Sequence, residues 1–286
     1  MNEVHLFRRS GAILAESLVW DAELRSLRWC DITTGVLYRS GINGPQSGEK
    51  DERVQFPAPL ASFHPAREGF VVSLGSSVVL TDREGRTQRE LAKIDHAHAG
   101  MRLNEGKVDP VGRWVTGSMD LTREQPDGAF YSVTASDTRV LYGGIGTANG
   151  LEWSLDGTRV YFTDTSVGSI YSGTYTAKGE IKDVASFHHG APHDGLTIDI
   201  DGCLWSAEYG RGRVTRLDPR GAELMSVDLP APNVTSVAFG GDAMSTLFVA
   251  TARENLSERE LAAHPLSGSI FAIDTATAGR AARVFG

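Results

Sequence analysis

Carboxylate and amide side chains recur along this chain at a nearly constant interval. Glu16, Asn104, Asn149 and Asp194 each stand four residues before an apolar anchor, and the same offset picks out Pro59 and Thr235. Brought to one place, two carboxylates repel and raise one another's pKa unless a cation lies between them. An oxygen-only set suits Ca²⁺, Mg²⁺ or Mn²⁺, and a Zn²⁺ or Fe²⁺ with few protein ligands is also compatible. Asn and Asp ahead of strands also serve as turn residues. That simpler role accounts for any one of the four, but it makes no demand for Glu16 in the same phase. The stretch TANGLEWSLDGTRVYF (147–162) sharpens the point. Asn149-Gly150 has the form of a turn signal, yet Leu151 to Phe162 already reads as two strands joined at Asp156-Gly157, so Asn149 has no hairpin to make.

The elements that must position these residues follow from the repeat itself. The anchors Trp20, Phe63, Val108, Trp153, Ile198 and Phe239 are separated by 43, 45, 45, 45 and 41 residues. Each opens a β-rich hairpin whose second strand ends in small or acidic residues, as in EWSLDGTRVYFTDT (152–165) and TIDIDGCLWSAEYG (197–210). A second strand pair follows, for example VLYRSG (36–41), SIYSGTY (169–175) and RVTRLDP (213–219). A period in the low forties built of hairpins predicts an all-β, six-bladed β-propeller of four-stranded antiparallel blades around a central channel, one domain over 1–286. Closure requires SIFAID (269–274) and ARVFG (282–286) to share a blade with VHLFRR (4–9), which removes any long exposed sheet edge. In such a ring the offset of four places the polar set at one mouth of the channel. The single helix candidate is RENLSERELAA (253–263).

Composition narrows the function classes. The formal net charge is −8, with no dense Lys/Arg stretch, which argues against nucleic-acid or membrane-surface partners. The apolar run near the N-terminus is too short for a signal peptide core, and no segment has the length of a membrane helix. Cys30 and Cys203 form no metal-type pair and read as reduced thiols, so a cytoplasmic chain is expected. HAHAG (96–100) and HHGAPHDG (188–195) are His-rich, but their spacing is too loose for a zinc site and loop histidines of this kind face solvent. His98 and His193 precede channel-phase positions and are kept as pocket residues. Asp199-x-Asp201-Gly202 reads as a hairpin turn rather than a calcium loop. GGIGTANG (143–150) precedes no helix, which excludes a phosphate loop, and no serine lies in a nucleophile elbow.

Several segments appear in an order and form that resemble the regucalcin/gluconolactonase (senescence-marker-protein) family of six-bladed propellers. They are AESLVWD (15–21), RLNEGKVDPVGRW (102–114), ANGLEWSLDGTRVYFTDT (148–165), HDGLTIDIDGCLWSAEYGRGRVTRLDP (193–219), VTSVAFGG (234–241) and PLSGSIFAID (265–274). The resemblance implies hydrolysis of a sugar-acid (aldono-) lactone with one divalent metal ion at the channel mouth. It implies Glu16, Asn149 and Asp194 as metal ligands, Asn104 as a residue lining the site, and Arg102 as a contact to substrate oxygens. An acidic residue after the second strand of blade three often holds the sugar in this family. Here Asp120 and Glu124 are the nearest candidates, with Thr122 between them. Leu18 replaces the proline that is common in the first motif.

The chemistry expected of such a site is that of an activated ester. The metal polarises the lactone carbonyl and lowers the pKa of water. Asp194 accepts the water's proton, and Arg102 and Asn104 hold ring hydroxyls or the developing oxyanion. Two alternatives share the fold: a non-catalytic calcium-binding propeller, and an aryl-ester or phosphotriester hydrolase. The expected partner is a small sugar lactone, and the default assembly is a monomer.

Overall fold

The computed structural model describes residues 3–42 and 51–286. Its strands form six four-stranded antiparallel sheets, a six-bladed β-propeller as the repeat predicts. The chain begins with β1 (Val4–Arg8), then builds blade one from β2 (Ala15–Asp21), β3 (Ser26–Asp31), β4 (Val36–Gly41) and β5 (Glu52–Gln55). Blade two is β6 (Leu60–Ala66), β7 (Gly69–Leu74), β8 (Ser77–Asp82) and β9 (Thr87–Lys93). Blade three is β10 (Met101–Val108), β11 (Trp114–Asp120), β12 (Gly128–Val133) and β13 (Thr138–Ile145). Blade four is β14 (Ala148–Trp153), β15 (Arg159–Asp164), β16 (Ser169–Tyr175) and β17 (Ile181–His189). Blade five is β18 (His193–Ile198), β19 (Leu204–Glu208), β20 (Arg213–Leu217) and β21 (Glu223–Asp228). Blade six joins β22 (Val234–Gly240), β23 (Thr246–Thr251) and β24 (Ile270–Asp274) to β1. The strands fall in two compact units, Met1–Val54 with Asp194–Ala282, and Gln55–His193 with Arg283–Gly286.

Burial falls along each blade from its first strand to its fourth. β14 is buried at every position, whereas β17 has no buried residue. The anchors and the aromatic residues of the second strands supply the packing between sheets. In the second unit, Trp153, Phe130, Phe162 and Val160 share one core, and Trp114, Val71 and Leu103 share another. In the first unit, Trp205 and Phe239 meet edge to face at 5.9 Å.

Acidic residues at hairpins act as staples for the backbone. Asp156 accepts from Thr158 N–H and the Ser154 hydroxyl, which closes the hairpin predicted at Asp156-Gly157. Asp199 accepts from the Asp201 and Cys203 amides, from Trp205 Nε1 and from Arg216 Nε, so it is a turn residue as its sequence suggests. Neither Cys30 nor Cys203 is in a disulfide, and both are buried.

Two expectations are corrected. The terminal ARVFG segment does not join blade six, whose four places are taken by β22, β23, β24 and β1. Instead the Phe285 amide donates to Pro65 O at 3.0 Å and the Phe285 ring packs in the core beside Trp114. The helix is shorter than 253–263: α1 spans Glu258–Ala263, because Asn255 has φ 61° and Ser257 with Glu260 forms a capping box. Among the described residues no helix is long and apolar enough to cross a membrane.

Candidate functional site

The in-phase residues occupy equivalent places on the first strands of their blades. Glu16, Asn149, Asp194 and Thr235 are each the second residue of their strand, and Asn104 is the fourth of β10. The ladder between first and second strands breaks at or beside this phase. The register shifts lie between Glu16 and Val19, Leu60 and Ser62, Leu103 and Gly106, Asn149 and Leu151, and Val234 and Val237. A bulge re-aims the side chains beside it. Consistent with this, the residue after Glu16 is Ser17 at φ 54°, and the residue after Asn149 is Gly150 at φ 28°. Only the latter is glycine, the residue with no Cβ to object.

The polar side chains at this phase are buried. Glu16 is 8% exposed, Asn149 8%, Asp194 5% and Asn104 6%, too little for ordinary solvated turn residues. In the first unit, Glu16 Oε2 accepts from the Ser17 amide at 3.0 Å. Gly195, beside Asp194, lies so close to β22 that a Cβ there would stand 2.8 Å from Thr235 O and 2.9 Å from Ser236 Cα. The Leu18 amide donates to Ser236 Oγ at 3.2 Å. A proline at that position has no N–H to donate, so Leu18 provides a tether to β22 that proline cannot.

In the second unit a continuous hydrogen-bond chain links β10 to β14 and beyond. Arg102 Nη1 donates to Asn104 Oδ1 at 2.5 Å and to Leu103 O at 2.9 Å. Asn104 Nδ2 donates to Asn149 Oδ1 at 2.6 Å and to Ala148 O at 3.0 Å. Asn149 Nδ2 donates to Thr165 Oγ1 at 3.0 Å, and Thr165 Oγ1 donates to His193 O at 2.6 Å. Arg102 is therefore a buried residue of this network rather than a surface arginine. Both N–H bonds of Asn104 are used within the protein, so toward a ligand hydroxyl it can act as an acceptor only.

Asp120 is also fully buried, and its carboxylate is committed to a turn. It accepts from Thr122 N–H and hydroxyl and from the Glu124 and Gln125 amides. The Thr122 hydroxyl, with those amides, holds this carboxyl down at about 2 in spite of burial. His98 Nε2 stands 3.5 Å from Asp120 and 3.8 Å from Asp127. Glu124 contributes its backbone amide, and its side chain is exposed. Asp164 does in blade four what Asp120 does in blade three, accepting from the Gly146, Thr147 and Ser166 amides. That staple fixes the 3₁₀ turn Thr165–Val167 on which Thr165 is carried.

His189 is exposed, as expected of a solvated loop, but the other histidines of these two stretches are not. His193 is fully buried because it opens β18 rather than ending a loop, and its ring meets His188 edge to face at 5.1 Å. His96, His98 and His188 are half-buried or better. Further along β10 and β14 the second unit buries more charge. Lys107 Nζ lies 3.1 Å from Glu152 Oε2. Burial raises the Glu105 carboxyl above its usual range, opposed by Lys107. Burial, with Lys107 adding to it, pulls the His64 imidazole down to about 3.

Sequence reasoning missed Thr165 and Ser236. The signal for Thr165 is its place directly after the acidic end of a second strand, next to a staple that fixes its backbone. Among the described residues no group of three or more His, Cys, Asp or Glu side chains is arranged to hold a metal ion. The expected ligand set has only two such residues and draws its third oxygen from an amide.

Comparison with known proteins adds to this geometry. Residues 14–253 match the family described as SMP-30/Gluconolactonase/LRE-like region. The chain is 34% identical over 285 residues to 6-deoxy-6-sulfogluconolactonase of Pseudomonas putida, covering 97% of this chain and 96% of the relative. It is 32% identical over 278 residues to regucalcin of Bos taurus, covering 93% of this chain and 92% of that protein. Among solved structures, a calcium-binding regucalcin of Agrobacterium tumefaciens superposes with a TM-score of 0.92 at 23% identity, over 100% of this chain and 98% of that one, a likeness of fold.

Proposed function

The chain belongs to the SMP-30/Gluconolactonase/LRE-like family, and from that premise we propose that it is a sugar lactone hydrolase that opens an aldonolactone to the aldonic acid with one bound divalent metal ion. The observation that carries the reading is the buried, in-phase set of oxygen donors beside the strand bulges. The proposal takes the six blades as one domain, with Glu16, Asn149 and Asp194 supplying the ligands.

The donor set fits such an ion. Glu16 and Asp194 are carboxylates less than a tenth exposed, and a buried carboxylate is favoured by a cation beside it. Asn149 Oδ1 accepts one hydrogen bond, from Asn104, and an amide oxygen has a second lone pair to give. Oxygen ligands without Cys or His suit Ca²⁺, Mg²⁺ or Mn²⁺ and accommodate Zn²⁺ or Fe²⁺. When bound, the ion supplies Lewis-acid polarisation of the lactone carbonyl.

The chain's own residues do the remaining work. Asp194 accepts the proton of the attacking water through the carboxylate oxygen not engaged as a ligand. Arg102 fixes Asn104 and directs positive charge toward substrate oxygens, and Asn104 accepts from a ring hydroxyl. Asp120 holds the 121–125 turn, and Glu124, on that turn, is the acidic side chain offered to the sugar.

The test is acid release from five- and six-carbon aldonolactones by metal-stripped protein, with Ca²⁺, Mg²⁺, Mn²⁺, Zn²⁺ and Fe²⁺ added back singly. Turnover that returns with a metal and is absent in Glu16→Ala supports the reading. Metal binding with no turnover on any lactone would replace it with a calcium-binding role. Turnover confined to aryl esters or phosphotriesters would replace the substrate.

A further inference from the structure

The hydrogen-bond chain through blades three and four has a fixed direction. Arg102 can only donate, so Asn104 must present Oδ1 to it and Nδ2 to Asn149. Asn149 then receives at Oδ1 and must present Nδ2 to Thr165. At the far end the His193 carbonyl can only accept, so the Thr165 hydroxyl donates there and has its lone pairs left for Asn149. Each amide has one allowed orientation, set from both ends. Thr165 is itself held in place, since Asp164 caps its turn and the Thr165 amide donates to Thr147 O at 3.2 Å.

We infer that Thr165 is a positioning residue that holds the Asn149 amide with its oxygen, rather than its NH₂, toward the ion; this rests on the metal-bearing site proposed above. Without the Thr165 hydroxyl the Asn149 amide is set from one end only, by the Asn104 NH₂, and its own NH₂ loses its acceptor. A flipped amide would turn two N–H bonds toward the cation and would also set its NH₂ against that of Asn104. Partners of this outer kind are worth about 10- to 100-fold in metal affinity when removed. A carboxylate in place of the amide has no wrong end, so the need for Thr165 should vanish in Asn149→Asp.

The experiment is a titration of metal-stripped protein with Mn²⁺, followed by its paramagnetic resonance signal, on wild type, Thr165→Val, Thr165→Ser, Asn149→Asp and the double variant that combines Asn149→Asp with Thr165→Val. The expected result is a loss of about 10- to 100-fold in Mn²⁺ affinity for Thr165→Val, recovery to within about threefold in Thr165→Ser, and little further loss when Thr165→Val is added to Asn149→Asp. Thermal melting of each variant reports its fold independently. Wild-type affinity in Thr165→Val would overturn the positioning role and leave the metal site standing. Equal losses from Thr165→Val in the wild-type and Asn149→Asp backgrounds would overturn it too, because the effect would not pass through the amide. Absence of Mn²⁺ binding in wild type, with none of the other four ions binding, would remove the metal site and Thr165's role with it.

Discussion

Blades three and four carry the same residue at the same phase, yet Asn104 and Asn149 are built into their surroundings differently. Asn104 has spent its donors: both of its N–H bonds go to the protein, and its oxygen, which accepts from Arg102, is all it can offer a ligand. Asn149 makes its contacts with Asn104 and Thr165 and keeps oxygen capacity for a ligand. The acidic residues that close the second strands, Asp120 and Asp164, are alike in stapling a turn. Only the turn held by Asp164 delivers a hydroxyl to the in-phase asparagine. The repeat copies the scaffold, but the residue after the staple differs between the copies, Leu121 in blade three and Thr165 in blade four.

The largest effect that separates the two blades is expected from the asparagines. Asn149→Ala should lose bound metal and drop turnover by about 100-fold or more. Asn104→Ala should weaken metal binding no more than Thr165→Val does, since each removes one partner of the Asn149 amide, and should raise KM about tenfold, the equivalent of one hydrogen bond. Metal titration and steady-state kinetics on the pair check this. If Asn104→Ala loses the metal as fully as Asn149→Ala, the division of roles is wrong.

Next in size is a clash built into blade five. Gly195→Ala sets a methyl against the Thr235 carbonyl and Ser236 Cα, and should destabilise the fold by about 1–3 kcal/mol. Urea unfolding measures it, and a neutral effect would mean that β18 and β22 are less tightly matched. The staples come after. Asp164→Ala and Asp120→Ala should each destabilise, Asp164 by about 1–2 kcal/mol as a turn cap. Only Asp164→Ala should also weaken Mn²⁺ binding, because it releases the turn under Thr165.

The smallest effects concern pH. His64 is held neutral by burial, with its folded pKa lowered to about 3. Between the ordinary value near 6.5 and about 3 the unfolded chain binds a proton that the fold refuses, so stability falls as pH falls through that window. His64→Leu should flatten the urea midpoint between about pH 6.5 and about pH 4.5. Asp120, held at about 2, acts lower. Its contribution is complete above the ordinary Asp value and is lost as pH drops toward about 2, and Asp120→Asn should remove that part of the acid sensitivity.

The blade count, the strand pairing and the phase of Glu16, Asn104, Asn149 and Asp194 were all legible, because apolar anchors repeat at a near-constant interval. Asp199 was legible as a turn residue for the same reason. The bulges were not, since a register shift leaves no composition signal beyond a glycine at 150 and none at 17. Arg102 was legible only through the family resemblance, because nothing in residue type or spacing shows that its guanidinium turns in to Leu103 O and Asn104 Oδ1. Thr165 was hidden because its role depends on the direction of a hydrogen-bond chain, and that direction is set by Arg102 and the His193 carbonyl together. The C-terminal Phe285 was misassigned because a five-residue apolar tail carries no information on which sheet has a vacant place.

The most direct test titrates metal-stripped protein with Mn²⁺ while following bound ion and lactone turnover on the same samples. Both curves should rise together and saturate at one equivalent per chain, and Glu16→Gln should depress both. Full turnover in chelated protein, or binding that saturates while no lactone is opened, would contradict the account.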